Sequence, residues 1–229
     1  MASLLTTLEA ARRIGVTERH IRNLARGGAL ARVANNAIDE SSLERYLAIH
    51  LGRVRRAWAE ATAWQALALV AGVEVETIGS SQRSRVRSTL RSMAAEQFVL
   101  AVRNRAHTER FVGHRPSVAR IRAEDEFVTS GVESAKLGLT ASTDQLDGYT
   151  SAQGVASIAA RYHLERDSTR ADAALIRVVS TVDVAAVRDI ASAGDLLAAV
   201  ALAESLDPRE RAVGHAHIAA ALRAFQDDR

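Results

Sequence analysis

LEAARRIGVTERHIRNLARGG, running from Leu8 to Gly28, decides how the rest of the chain is read. Leu8, Ala11 and Ile14 recur at helical spacing. Gly15 then supplies a backbone free to take positive φ, as a tight inter-helix turn requires. Val16 is apolar and plugs that turn. Thr17 is a good N-cap for a second helix. Within it Ile21 and Leu24 face inward with Ala25, which leaves Glu18, Arg19, His20, Arg22, Asn23 and Arg26 outside. Gly27 and Gly28 end it. A small residue at the crossing (Ala11), a glycine soon after and apolar residues at Ile21 and Leu24 are what helix-turn-helix packing demands. The alternative is a plain helical hairpin with a solvated Arg face.

The exposed face of the second helix carries donors suited to base edges and phosphates, Arg for guanine and Asn for adenine. ALARVANNAIDE follows. Asn35-Asn36 forms a hairpin turn between short strands, about Leu30 to Val33 and Ala37 to Asp39, which makes a small wing. Ser41 or Ser42 caps a third helix through Leu43, Tyr46 and Leu47.

On these motifs, Met1 to about Ile49 resembles the compact winged helix-turn-helix of the excisionase and MerR-type regulators. LTTLEAARRIGVTERHIRNLARGGAL, a short wing and IDESSLERYL follow that pattern end to end. The resemblance implies that the second helix enters the major groove and that the wing touches the backbone or minor groove. Thr17, Arg19, His20, Arg22, Asn23 and Arg26 would then face DNA, with Arg32, Asn35 and Asn36 on the wing. Wings of this family are usually richer in Arg, Lys and aromatic residues than VANNAIDE.

Composition agrees with a folded, globular chain. Hydrophobic residues make up 48% and charged residues 25% of the 229 positions, so the chain reads as globular rather than disordered. Ala carries much of the apolar count and aromatics are only 4%, which favours helix. The absence of Cys excludes disulfides and Cys-ligated zinc. Leu4 and Leu5 lead directly into the helical pattern rather than into a signal peptide. No apolar run approaches the roughly 20 residues of a membrane span, so cytoplasmic residence is expected.

The net charge of +3 hides an asymmetry. Met1 to Arg122 holds 20 Arg against 10 Asp/Glu, whereas Ala123 to Arg229 holds 10 Lys/Arg against 17 Asp/Glu. A basic first half suits a polyanion and an acidic second half is repelled by one. Three segments are expected: a winged helix-turn-helix at 1–50, a basic helical region at 51–122 and an acidic α+β domain at 123–229. The fold class is mainly α with small β elements (α+β).

In the middle segment a helix is expected from about Trp58 to Ala71, with Trp64 and Leu67 on its core face and Gly72 as its stop. SSQRSRVRSTLRSM then opens with a Ser cap and runs as a helix. Arg83, Arg87 and Arg91 fall at i, i+4, i+8 and form one stripe, beside an apolar face of Val86, Leu90 and Met93. The stripe reads either as a contact for phosphate or an acidic partner, or as a solvated face balanced elsewhere. A further helix is expected over about Ala94 to Ala106, with RFVGH as a short strand.

In the acidic half EFVTSGVESAKLGL predicts a short strand into Gly131 and then a helix. DQLDGYT predicts a strand followed by a helix to Tyr162. ADAALIRVVST is the clearest strand, its continuous apolar run implying burial on both faces. AGDLLAAVALAES is helical or a buried junction. The last helix starts with Asp207 as N-cap, Pro208 at N1 and Glu210 at N3. This ordered series, ending in ALAESLDPRERAVGHAHIAAAL, resembles the C-terminal domain of AbiE-type antitoxins of type IV toxin–antitoxin systems. That family usually has Asp-Leu where this chain has Ala201-Leu202-Ala203. The resemblance implies an autoregulating repressor of its own promoter that opposes a separately encoded nucleotidyltransferase toxin.

Enzyme chemistry finds little footing. Gly79-Ser80-Ser81 has the Gly-Ser opening of a nucleotidyltransferase, but no acidic residue follows until Glu96, so a Mg²⁺ pair is missing. His107, His114, His163, His215 and His217 form no metal set, and no Ser-His-Asp signature, P-loop or Rossmann glycine pattern is present. The expectation is therefore a non-enzymatic regulator with no cofactor and no metal. Its partners would be duplex DNA at its own promoter, a nucleotidyltransferase toxin and a second copy of the chain, since a head of about fifty residues reads few bases alone. The alternative is a MerR-like regulator whose C-terminal half senses a small-molecule effector.

Overall fold

A computed structural model describes residues 4–14, 16–34, 36–50, 57–131, 146–166, 174–205 and 207–228. The expected turn at Gly15, the wing residue Asn35 and the helix after Gly131 lie outside the described residues. The fold is mainly α with small β elements, as expected from composition.

The first fifty residues build their own small core. β1 (Leu4–Thr6) leads into α1 (Thr7–Ile14), then α2 (Glu18–Arg26), β2 (Arg32–Ala34), β3 (Ala37–Asp39) and α3 (Glu40–His50). Ala10, Ala11, Ile21, Leu30, Ile38 and Leu43 are buried together. The sheet runs β1-β3-β2, all antiparallel, with Leu5 opposite Ile38. Leu4 and Leu5 were expected to run straight into helix. They form a strand instead, because the exposed edge of β3 offers backbone partners that an isolated helix start lacks. Leu8, expected inward, is 45% exposed, and Ala10 takes its place in the core.

Helix starts here follow local hydrogen bonding more closely than residue type alone. Thr6 and Glu9 cap α1 reciprocally: the Glu9 N–H donates to Thr6 Oγ1 (3.2 Å) and the Thr6 N–H donates to Glu9 Oε2 (2.8 Å). Asp39, not Ser41 or Ser42, caps α3, its carboxylate accepting from the Ser42 N–H at 2.9 Å and the Ser41 hydroxyl at 2.5 Å. The Ser42 hydroxyl instead accepts from the Ala31 N–H (3.0 Å) and donates to the Asp39 carbonyl, locking the start of the wing to α3.

The rest of the described chain is built around one sheet with a hydrophobic cluster on each face. α4 (Glu60–Ala71), α5 (Ser80–Leu90) and α6 (Ala95–Val102) lead to β4 (His107–Val112) and α7 (Ser117–Arg122). β5 (Val128–Thr129), β6 (Asp147–Ser151), α8 (Ala152–Arg161), β7 (Glu165–Arg166) and β8 (Ala174–Val179) follow, then α9 (Val184–Ser192), α10 (Leu196–Ala203) and α11 (Pro208–Asp227). The Ser cap expected for α5 is absent: Gly79 is the N-cap and Ser80 already lies in the helix. α6 stops at Val102, short of the expected Ala106, and the strand expected at RFVGH starts earlier, at His107.

The five strands run β5-β6-β8-β4-β7. β6 and β8 are parallel, with α8 in the connection that parallel strands require; the other pairs are antiparallel. β4, from the basic middle, pairs with β8, from the acidic half, so the two segments separated by composition at Arg122 share a sheet. β8 is central, which accounts for its apolar run. Ile176 and Val178 face a cluster with Phe111, Phe127, Leu146, Val155 and Ile158. Val179 faces the other way, into the layer of α4, α5, α6, α9, α10 and α11.

Every residue of α10 is buried. α11 crosses it at Gly214, where an added Cβ would lie 2.4 Å from the Ala203 nitrogen and 2.5 Å from the Ala199 carbonyl oxygen. Gly214 is therefore what allows the two backbones to touch. Asp207 and Pro208 cap α11 as expected, with Asp207 Oδ1 accepting from the Arg209 N–H at 2.7 Å. No helix among the described residues is long and apolar enough to cross a membrane.

Candidate nucleic-acid interface

α2 presents a polar face because only Ile21 is fully buried in it, with Leu24 and Ala25 half-buried beside it. Thr17 caps it: its Oγ1 accepts from the His20 N–H at 3.3 Å. The hydroxyl hydrogen remains free to donate outward. Arg19, His20, Arg22, Asn23 and Arg26 are all exposed, as is Thr17. α2 ends at Gly27, and Gly28 takes a φ of 75°, which turns the chain toward the wing.

Two of these side chains hold each other in place. Arg26 Nη1 donates to Asn23 Oδ1 at 3.1 Å, which occupies the Asn23 acceptor and leaves its amide hydrogens facing out. Arg22 Nη2 lies 3.2 Å from Glu18 Oε2, an exposed i, i+4 pair. Such pairs are worth about 0.3–0.5 kcal/mol, little enough for a phosphate to displace the carboxylate. Glu18 thus competes with any anion for Arg22, a role the pattern of cations alone did not reveal.

On the wing Arg32 is exposed on β2. Asn36 is exposed but not free: its Oδ1 accepts from the Thr7 hydroxyl, and its carbonyl accepts from the Thr7 N–H at 3.2 Å. Its side-chain amide hydrogens remain available, so Asn36 both fixes the wing to α1 and keeps donors. Arg13 joins α1 to α3 through Glu40 and Glu44, and bonding to Glu40 raises its pKa. Arg12, next to it, is exposed and extends the basic face beyond the residues marked by sequence. Leu4, Leu8 and Val33, the exposed large apolar side chains of the described residues, all lie in this unit.

Of the Arg83, Arg87 and Arg91 stripe, the first two lie on α5 and Arg91 is its C-cap. Val86 and Leu90 are buried beneath it, Arg83 is half-buried, and Arg87 and Arg91 are exposed. The Arg87 guanidinium sits 5.9 Å over the Phe225 ring of α11.

Two other places gather polar groups. Arg105 and Arg177 are buried with Glu204, Asp147 and Tyr149. Arg105 Nε donates to the Tyr149 hydroxyl at 2.8 Å, and Arg177 pairs with Asp147. Burial and the neighbouring Arg105 charge push Arg177 down to about 10, so it remains a cation at neutral pH. Two cations and two carboxylates balance, which makes this a structural network. The other place is an open cleft of about 450 Å³ between the start of α6 and α11, lined by Glu96, His215, Arg223 and Gln226 among others. His215 Nδ1 is buried there without a partner among the described residues.

Among the described residues no three His, Cys, Asp or Glu side chains cluster as metal ligands. No known protein family, curated protein or solved structure matches the chain.

Proposed function

We propose that this protein is a sequence-specific duplex-DNA-binding repressor that acts on its own promoter. One observation carries the reading. An independently cored β-α-α-β-β-α unit presents a Thr-capped helix whose outward side chains are Arg19, His20, Arg22, Asn23 and Arg26. That order of elements supplies a helix for the major groove and an adjacent wing carrying Arg32. In this reading Arg and Asn address bases, while Thr17 and Arg32 address phosphates. The acidic half, by its resemblance to AbiE-type antitoxins, opposes a nucleotidyltransferase toxin, and the active form is a dimer in the cytoplasm.

The test is fluorescence anisotropy on the duplex immediately upstream of the coding sequence, against a scrambled duplex, over a salt series. Preferential binding with a steep negative salt slope, lost in Arg19→Ala/Arg22→Ala, is the expected result. Equal binding to both duplexes sinks the autoregulatory reading.

The cleft between α6 and α11 favours a second reading, in which the C-terminal half senses a small-molecule effector. His215, Glu96 and Arg223 supply donors and acceptors for a polar ligand. The two readings separate genetically. Rescue of growth from a co-expressed neighbouring nucleotidyltransferase supports the antitoxin, whereas a DNA affinity that changes with a metabolite and is insensitive to it in His215→Ala supports the sensor.

A further inference from the structure

The basic excess of this chain does not sit mainly on the helix-turn-helix. Residues 1–50 hold seven Arg against five Asp/Glu, whereas residues 51–122 hold 13 Arg against five. The densest part is α5 with its flanks: residues 78–95 carry Arg83, Arg85, Arg87 and Arg91 and no acidic residue. Elsewhere cations find carboxylates, as in Arg13–Glu40, Arg22–Glu18, Arg105–Glu204, Arg161–Glu124 and Arg166–Glu109. Among the described residues none of the four Arg of this segment has a carboxylate partner; Arg87 has only the Phe225 ring.

The layout of the helix adds shape to the charge. Val86 and Leu90 point into the core. At about 100° per residue, Ser81, Ser84 and Ser88 occupy the outermost line, and all three are exposed. Arg87 and Arg91 flank that line on one side and Arg85 on the other. The ridge is therefore made of short hydroxyls, low enough for close approach, with guanidinium forks reaching past it on both sides. No large apolar side chain is exposed on it, so it lacks the aromatic or aliphatic anchors on which protein interfaces depend. Hydroxyl and guanidinium donors together are the groups that hold phosphate oxygens. An eleven-residue helix is about 16 Å long, and duplex DNA presents about nine phosphate charges over that distance. Repulsion between Arg83, Arg87 and Arg91 at successive i, i+4 positions is relieved when an anion lies across them.

We propose that α5 is a second duplex-DNA contact, a sequence-independent phosphate clamp that acts beside the helix-turn-helix. This rests on the reading of the chain as a duplex-DNA binder but not on α2 being the reading helix. The clamp supplies affinity, and α2 supplies discrimination. Arg87 lies over the Phe225 ring and its N–H groups have no partner among the described residues, which pre-positions one cation of the four.

The experiment uses the full chain with Arg83→Gln/Arg85→Gln/Arg91→Gln, which keeps Arg87 on Phe225 and places good helix formers at the three sites. An unchanged urea midpoint and circular dichroism spectrum establish that the fold is intact. On upstream and scrambled duplexes alike, the variant is expected to bind about tenfold or more weakly near 0.1 M salt, with a salt slope shallower by about one per Arg removed. The ratio of the two affinities should stay the same. Unchanged affinity and slope would overturn the clamp. So would a loss confined to the upstream duplex, because phosphate contacts carry no sequence. Equal binding of poly-glutamate and duplex at matched charge, both lost in the variant, would also overturn it and assign the ridge to an acidic protein. If the wild-type chain shows no preference between duplexes yet the variant weakens both, the clamp stands and the reading of α2 fails.

Discussion

Arg105 donates from both terminal nitrogens to Glu204, at 2.5 and 2.8 Å, across 99 residues of sequence. The pair joins the end of α6 to the end of α10 and so ties the basic middle to the acidic half. Burial works against the Arg105 charge, but the Glu204 carboxylate and the Tyr149 hydroxyl outweigh it and its pKa is raised. Removing one partner of a buried pair strands the other charge, which costs about 3–5 kcal/mol. Glu204→Gln should therefore lower the urea midpoint sharply, and Arg105→Met/Glu204→Leu should recover much of the loss. A double variant as unstable as Glu204→Gln would show that the network, not the stranded charge, sets the stability.

Gly214 provides a packing test. Gly214→Ala forces α10 and α11 apart, because its Cβ would meet the backbone of Ala199 and Ala203. Overpacking of this kind costs about 1–3 kcal/mol. At Gly194 nothing among the described residues lies within 4 Å of an added Cβ, so Gly194→Ala should change stability by no more than about 0.5 kcal/mol. Thermal melts of the two variants, side by side, check the contrast.

Glu60 gives the fold an acid-sensitive joint. Its carboxylate accepts from the Ser180 N–H (2.5 Å), the Ser180 hydroxyl (2.6 Å) and the Thr181 N–H (2.9 Å), which fixes the end of β8 to the start of α4. Burial raises its pKa, but these bonds to Ser180 and Thr181 outweigh burial and the net shift is downward. A lowered carboxyl pKa adds stability above the unfolded-state value, and that stability is lost as pH falls through the folded-state value. Glu60→Gln should be about 1–2 kcal/mol less stable than wild type at pH 7. The gap should close below about pH 4. Denaturant curves at the two pH values test this, and a gap that is the same at both refutes it.

If α2 contacts DNA as proposed, Glu18 should restrain that binding. With its carboxylate gone, Arg22 no longer has a competing partner on α2. Glu18→Gln is expected to tighten binding to any duplex by a few-fold and to steepen the salt slope. Anisotropy at two salt concentrations is sufficient, and weaker binding would mean that Glu18 itself addresses a base.

Elements that rest on neighbours a few residues apart were legible before the fold was known. Thr17, Ile21, Gly27 and Gly28 mark the start, inner face and end of α2, because capping, helical period and positive φ are local requirements. The apolar run at 174–179 marks a buried central strand for the same reason, and Asp207-Pro208 marks the start of α11. Which charges are buried follows from long-range packing. Arg105 and Arg177 have the same side chain as Arg85 and Arg91, yet the first two lie in the core and the last two in solvent. Nothing within ten residues of Arg105 announces Glu204, because an ion pair that distant in sequence is made only when the helices and sheet close around it. The same holds for β1, which is a strand only because β3 lies alongside, and for α5, where Ser81, Ser84, Arg85, Arg87 and Ser88 stay exposed only because the other described elements pack against its Val86–Leu90 side.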